Sequence, residues 1–119
     1  MRIKITSDNF MGKVLNSKRP VLVDFWAPWC VPCWMQSSVI DTVADEMAGK
    51  VNFGMVDVGS ELELAERFGI SGVPALLLFV DGKLAASSVG FMPKLDMDAF
   101  IGKYVAEGPP EFFPEDASA

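Results

Sequence analysis

The sequence contains no histidine and only two cysteines among 119 residues. A closed zinc site needs four ligands, so the two thiols could complete one only with carboxylates or a second chain. No stretch approaches the ~20 apolar residues of a membrane span, and the first ten residues, MRIKITSDNF, lack the apolar centre of a secretory signal. The net charge of −6 argues against nucleic acid or an anionic membrane as partner. We therefore expect a cytoplasmic protein without a metal site.

The composition is typical of one folded domain followed by a short tail. Half of the residues are hydrophobic and 22% are charged, as in ordinary globular proteins. The segment AEGPPEFFPEDASA at the C-terminal end combines three prolines with acidic side chains and has no basic residue. The sequence therefore predicts a domain at 1–105 and a disordered tail at 106–119.

The hydrophobic pattern predicts an α/β fold. Apolar runs and alternation indicate about five strands, at 3–5, 21–26, 51–58, 75–80 and 83–89. Helical spacing indicates helices at 7–16, from the cysteines to Met47, at 60–68 and from Pro93 to Tyr104. Ser7 and Asp8 are predicted caps of the first helix, and Ser60 with Glu63 a capping box of the third. The order β-α-β-α-β-α-β-β-α implies a mixed sheet with helices on both faces.

The two cysteines lie close together, as Cys30-Val31-Pro32-Cys33 within WAPWCVPCWM. This spacing alone also fits half of a zinc site, or a structural disulfide, although so short a bridge hardly restricts the unfolded chain. The position of the pair favours redox chemistry, because an apolar strand passes into an amphipathic helix there. In a reducing compartment such a pair is more often redox-active or metal-binding than structural.

The predicted helix start assigns different chemistry to the two thiols. Unpaired backbone N–H groups and the positive end of the helix dipole would stabilise Cys30 as a thiolate. Pro32 suits the first helical turn, and Cys33, one turn further on, should be less accessible. We therefore expect Cys30 to attack a substrate disulfide and Cys33 to release the product.

Two segments, VDFWAPWCVPCWM (23–35) and GISGVPALLLFVDGKLAASSVG (69–90), resemble the hallmark regions of thioredoxins. The resemblance runs in register across roughly 1–105 and implies the thioredoxin fold. It also implies a thiol–disulfide oxidoreductase that reduces disulfides of client proteins. Such a protein holds no cofactor, is recharged by a thioredoxin reductase-like electron donor, and is expected to be a monomer.

The resemblance assigns further residues. Asp24 matches a buried acid that carries a proton to or from Cys33, and burial of a carboxyl without a partner raises its pKa. Pro74 matches a cis-proline, which would place the Val73 backbone beside the sulfurs, where an extended substrate can pair with it.

The predicted substrate-binding rim comprises Trp29, Val31, Pro32 and Gly90, in addition to Val73 and Pro74. Trp26 is expected to pack beneath the site.

Four positions depart from the family pattern. Val31 stands in place of a glycine, Trp34 of a basic residue, Ser38 of a helix-kinking proline and Met55 of a lysine that pairs with the buried acid. The loss of two cations should favour the neutral forms of Asp24 and Cys30. The altered rim leaves a specialised client or a different reductase open.

Two alternative functions remain open at this point. The first is a disulfide donor or isomerase, which the lack of histidine between the cysteines disfavours. The second is a binding module or holdase that uses the same groove without turnover.

Overall fold

The computed structural model describes residues 2–105 as a sheet of five strands with helices packed on both of its faces. The strands are Arg2–Lys4 (β1), Val21–Trp26 (β2), Asn52–Asp57 (β3), Ala75–Val80 (β4) and Lys83–Val89 (β5). The helices are a short π-helix at Met11–Leu15, followed by Val31–Glu46 (α1), Leu62–Arg67 (α2) and Lys94–Gly102 (α3). The predicted tail, 106–119, lies outside the described residues.

The strand order is β1-β3-β2-β4-β5. β3 pairs in parallel with both β1 and β2, whereas β4 pairs antiparallel with β2 and β5. The turn between β4 and β5 consists of Asp81 and Gly82, which have φ values of 54° and 76°, as a two-residue hairpin turn requires. The predicted mixed sheet is confirmed, and Asp81-Gly82, a pair of residues typical of hairpin turns, joins β4 to β5.

The central strand β2 is buried on both faces, because its side chains alternate between two separate cores. Val21, Val23 and Phe25 pack with residues of the π-helix and α2, while Leu22 packs with residues of α1 and α3. Asp24 follows Leu22 by two positions and therefore points to the α1 side of the sheet. The fold thus places a carboxyl group beneath the helix that begins at the cysteines.

Both predicted helix caps were wrong, because the residues before the two helices are Phe10 and Glu61 instead. Ser7 lies in a turn, and its backbone N–H and hydroxyl both donate to the Glu61 carboxylate, at 2.9 and 3.2 Å. Ser60 also belongs to a turn, in which its N–H donates to the Asp57 carbonyl oxygen. Glu61 is the residue before α2 and makes no capping bond with its side chain.

The four-residue spacing of Met35, Val39, Val43 and Met47 predicts one apolar stripe along α1, and the structure differs from it at Met35. Met35 is 53% exposed, whereas Ile40, Val43 and Met47 are buried. A spacing of four residues drifts around an α-helix by about 40° at each step, because one turn holds 3.6 residues. Met35 has therefore rotated out of the face that packs on the sheet.

Candidate active site

The site begins where β2 ends and α1 starts. Cys30 is the N-cap residue of α1, with extended backbone angles of φ −100° and ψ 108°. Its Sγ accepts a hydrogen bond from the Cys33 N–H at 3.2 Å, and Pro32 occupies the first turn, where a backbone N–H would have no helical partner. A sulfur in this position faces the unpaired N–H groups of the helix, which favour negative charge.

The two cysteines are joined as a disulfide, with their Cα atoms 5.2 Å apart. Both residues are buried in this oxidised form, with Cys33 at 2% and Cys30 at 6% exposure. The residues on either side of Cys30 are open to solvent, since Trp29 is 75% and Val31 59% exposed. In the oxidised protein Cys30 is only slightly more exposed than Cys33.

A second segment meets the disulfide from the start of β4. The Val73–Pro74 peptide bond is cis, and the Val73 carbonyl oxygen lies 3.8 Å from the Cys30 Sγ. The Pro74 carbonyl accepts the Gly90 N–H at 2.7 Å, and Gly90 has a positive φ of 97°. Val73 therefore lies beside the sulfurs, and Gly90 is bonded to the proline that follows it.

The other predicted rim residues lie on the α1 side. Trp29, Val31 and Pro32 are all exposed. Trp34 is also 59% exposed, and its indole N–H donates to the Pro28 carbonyl at 3.1 Å. Trp26 is half-buried and packs against the cysteines from below. The mouth of the site is therefore apolar and aromatic.

Asp24 is 2% exposed, and its Oδ1 atom has no hydrogen-bond partner within residues 2–105. Burial penalises the charged carboxylate and raises the pKa of Asp24 from 3.8 to about 7, against an opposing effect of the Arg2 charge. The predicted direction of this shift is confirmed. A carboxyl group with this pKa can both hold and release a proton near neutral pH.

A cavity of about 130 Å³ joins the buried carboxyl group to the active-site helix. Asp24 and Cys33 both line it, and the remaining lining residues are Arg2, Trp26, Trp34, Ser37 and Met55. Its volume is that of a few water molecules. Asp24 and Cys33 thus share the wall of one cavity.

Sequence reasoning missed Arg2, which supplies a cation to this cavity from the edge strand β1. Its Nη2 donates to the Ser37 Oγ at 2.7 Å, and its Nε pairs with the Asp41 Oδ1 at 3.1 Å. Met55 stands in place of the family's lysine, and Arg2 is a positive charge that still acts on Asp24 and opposes the effect of burial on its pKa. The alternation of Arg2 with Ile3 predicts which face of β1 it occupies, but not which helix it meets.

Gln36, on the active-site helix, is the second residue that sequence reasoning missed. It is fully buried, its side-chain N–H donates to the Met92 carbonyl at 2.9 Å, and its Oε1 accepts the Met92 N–H at 2.7 Å. This pair of bonds fastens α1 to the loop that follows Gly90. The available signal was a polar residue within the apolar stripe of a helix.

The described part of the chain, residues 2–105, shows no group of three or more cysteine and carboxylate side chains that could hold a metal ion. In the same range no helix is long and apolar enough to cross a membrane.

Comparison with known proteins identifies the family. The Thioredoxin family model matches residues 1–103. The chain is 42% identical to Thioredoxin C-2 of Corynebacterium nephridii and 39% identical to the thioredoxin of Haemophilus influenzae. Each alignment covers 87% of this chain and at least 95% of the relative. The chain therefore belongs to the thioredoxin family, and it is a thiol–disulfide oxidoreductase.

Proposed function

We propose that the protein reduces disulfide bonds of client proteins, with Cys30 as the attacking thiol and Cys33 as the resolving thiol. The single observation that carries this assignment is the Cys30 Sγ at the N-cap of α1, where it accepts the Cys33 N–H. In the reduced protein the same N–H group would stabilise a Cys30 thiolate. Cys33 is covered by the helix and meets only a partner that is already attached to Cys30.

The reaction consists of two exchanges. The Cys30 thiolate attacks one client sulfur, so that a mixed disulfide forms and the other client sulfur leaves as a thiolate that takes up a proton. Cys33 then loses its proton and attacks the Cys30 sulfur, which releases the second client thiolate and forms the Cys30–Cys33 disulfide. Two electrons thus pass from the protein to the client.

Asp24 is proposed as the proton carrier of the second exchange. Cys33 reacts only as a thiolate, and the Asp24 carboxylate can accept its proton through the shared cavity. The pKa of about 7 suits this transfer, because about half of the Asp24 groups are ionised at neutral pH. An exposed aspartate would be a weaker base by about three pKa units.

The client is proposed to bind as an extended segment across the apolar rim. The Val73 backbone lies beside the Cys30 sulfur and offers polar groups to a client strand. The exposed side chains of Trp29, Val31 and Pro32 would contact client side chains on one side, and Gly90 on the other.

The remaining proposals follow from the family. A thioredoxin reductase-like donor returns two electrons to the disulfide, and the exchange uses no bound cofactor. We propose a monomer in the cytoplasm, with residues 1–105 as the catalytic domain.

Reduction of insulin disulfides by dithiothreitol tests the proposal. We expect the wild type to accelerate the reaction and Cys30→Ser to abolish the acceleration, while Cys33→Ser accumulates a mixed disulfide visible by mass spectrometry. Equal rates for wild type and Cys30→Ser would leave only a binding module. A reduction potential well above that of glutathione would instead indicate a disulfide donor.

A further inference from the structure

We propose that Arg2 is a positioning residue that governs proton release from Asp24, and that α1 holds its guanidinium in place for this purpose. The inference rests on the proposed function, since it concerns the proton that Cys33 gives up. Arg2 belongs to the edge strand β1, outside both segments that resemble thioredoxin hallmarks.

The placement of the Arg2 side chain is the first argument. The side chain is only 15% exposed and lines the same cavity as Asp24 and Cys33. Burying most of an arginine side chain is unusual unless its charge is paired. Ser37 and Asp41 on α1 provide that pairing through the Nη2 and Nε atoms. They leave the guanidinium fixed at the wall of the cavity.

The second argument is that, within residues 2–105, the lining of the cavity holds no cation other than Arg2. The strand neighbours of Asp24 are Met55 on β3 and Leu76 on β4, both apolar. Among residues 2–105, the α1 residues that line the cavity are Cys33, Trp34 and Ser37, which carry no formal positive charge.

Arg2 is therefore the single cation in the described lining of this cavity. Lys4, the other basic residue of β1, is exposed and lines a different cavity.

The two observations together give the direction in which Arg2 changes the ionisation of Asp24. Burial favours the neutral carboxyl, and the Arg2 charge opposes it by favouring the carboxylate. Asp41 is 65% exposed and offsets part of the Arg2 charge from the far side. Removal of Arg2 should therefore make Asp24 a more reluctant proton donor, and removal of the Asp41 charge should have the opposite effect.

The test is the titration of the Asp24 side-chain carboxyl carbon by NMR between pH 5 and 9, in oxidised protein, where neither thiol titrates. For Arg2→Met we expect the midpoint to rise by about one pH unit, the lower end of what a nearby opposite charge confers. At pH 7 the ionised fraction would then fall from about half to about one tenth. Arg2→Lys keeps the positive charge, so its midpoint should lie close to that of the wild type.

Two further variants test whether the charge of Arg2 itself causes the shift of the midpoint. Lys4→Met removes an equal charge from the same strand and should leave the midpoint unchanged. Asp41→Asn removes the charge of an exposed residue and should lower the midpoint, because the Arg2 charge, still held by Ser37, is no longer offset. An unchanged midpoint in Arg2→Met, or a higher one in Asp41→Asn, would overturn the inference.

The titration is independent of turnover, so the two proposals can fail separately. If Arg2→Met shifts the midpoint but Asp24→Asn reduces insulin as fast as wild type at every pH, the assignment of Asp24 as proton carrier fails and the inference on Arg2 stands. If the midpoint does not move in Arg2→Met while Asp24→Asn is slow, the inference on Arg2 fails and the assignment of Asp24 as proton carrier stands.

Discussion

Replacing the buried carboxyl group should change how the stability of the protein depends on pH. Asp24 has a pKa of about 7 in the folded protein and 3.8 in the unfolded chain. Between these values the folded state binds more protons than the unfolded state, so the free energy of unfolding falls as pH rises. Well above pH 7 Asp24 is ionised in both states, and it lowers the free energy of unfolding no further. Asp24→Asn cannot ionise and should lack this loss.

The magnitude follows from the two pKa values. They differ by about three units, and each unit corresponds to about 1.4 kcal/mol. A small part of this effect falls outside the range from pH 4 to 8. As pH rises over that range, the free energy of unfolding of Asp24→Asn should increase by about 3 to 4 kcal/mol relative to wild type. For a domain with a total stability of about 5 to 15 kcal/mol, this is a large change.

Urea denaturation of the oxidised proteins at fixed ionic strength, followed by circular dichroism from pH 4 to 8, measures the difference. The chain has no histidine, so no imidazole titrates in this range and confuses the comparison. The constant cost of burying an amide cancels, because only the change of the difference with pH is used. A difference that stays flat, or that favours wild type as pH rises, would refute the assignment of a neutral buried acid.

Two other substitutions test contacts at the site. Gln36→Leu removes two hydrogen bonds and leaves the backbone N–H and carbonyl of Met92 without their side-chain partner. We expect the free energy of unfolding in urea to fall by about 1 to 3 kcal/mol and the KM for insulin to rise. An unchanged KM would show that the loop does not contribute to client binding. Trp34→Lys places a cation near the thiols, so the midpoint of Cys30 alkylation by iodoacetamide should move to lower pH. The matched variant Trp34→Phe removes only the bond to Pro28 and should leave that midpoint in place; equal shifts would show that charge is not the cause.

The sequence was sufficient for the elements whose pattern is local. The apolar runs of β2 and β4 predict doubly buried strands, and Asp81-Gly82 predicts the hairpin between β4 and β5. The position of Cys30 between a strand and a helix likewise predicts the helix start at the sulfur. Each of these patterns is complete within about ten neighbouring residues.

The parts that were missed depend on residues far apart in the chain. Ser7 is a good cap by residue type, yet its partner is Glu61, 54 positions away. Arg2 meets Ser37 across 35 positions, and only the pairing of β1 with β3 brings it near Asp24. Residue preference describes what a side chain can do, whereas tertiary packing decides which partner it has.

The amide of Gln36 also bears on how the protein chooses its clients. The loop after Gly90 is bonded to the helix that carries both thiols, and Gly90 itself is bonded to Pro74. Two sides of the groove are thereby tied to one another before any client arrives. We therefore expect the groove to accept a disulfide in a client segment that can straighten and to reject one held in a rigid bend.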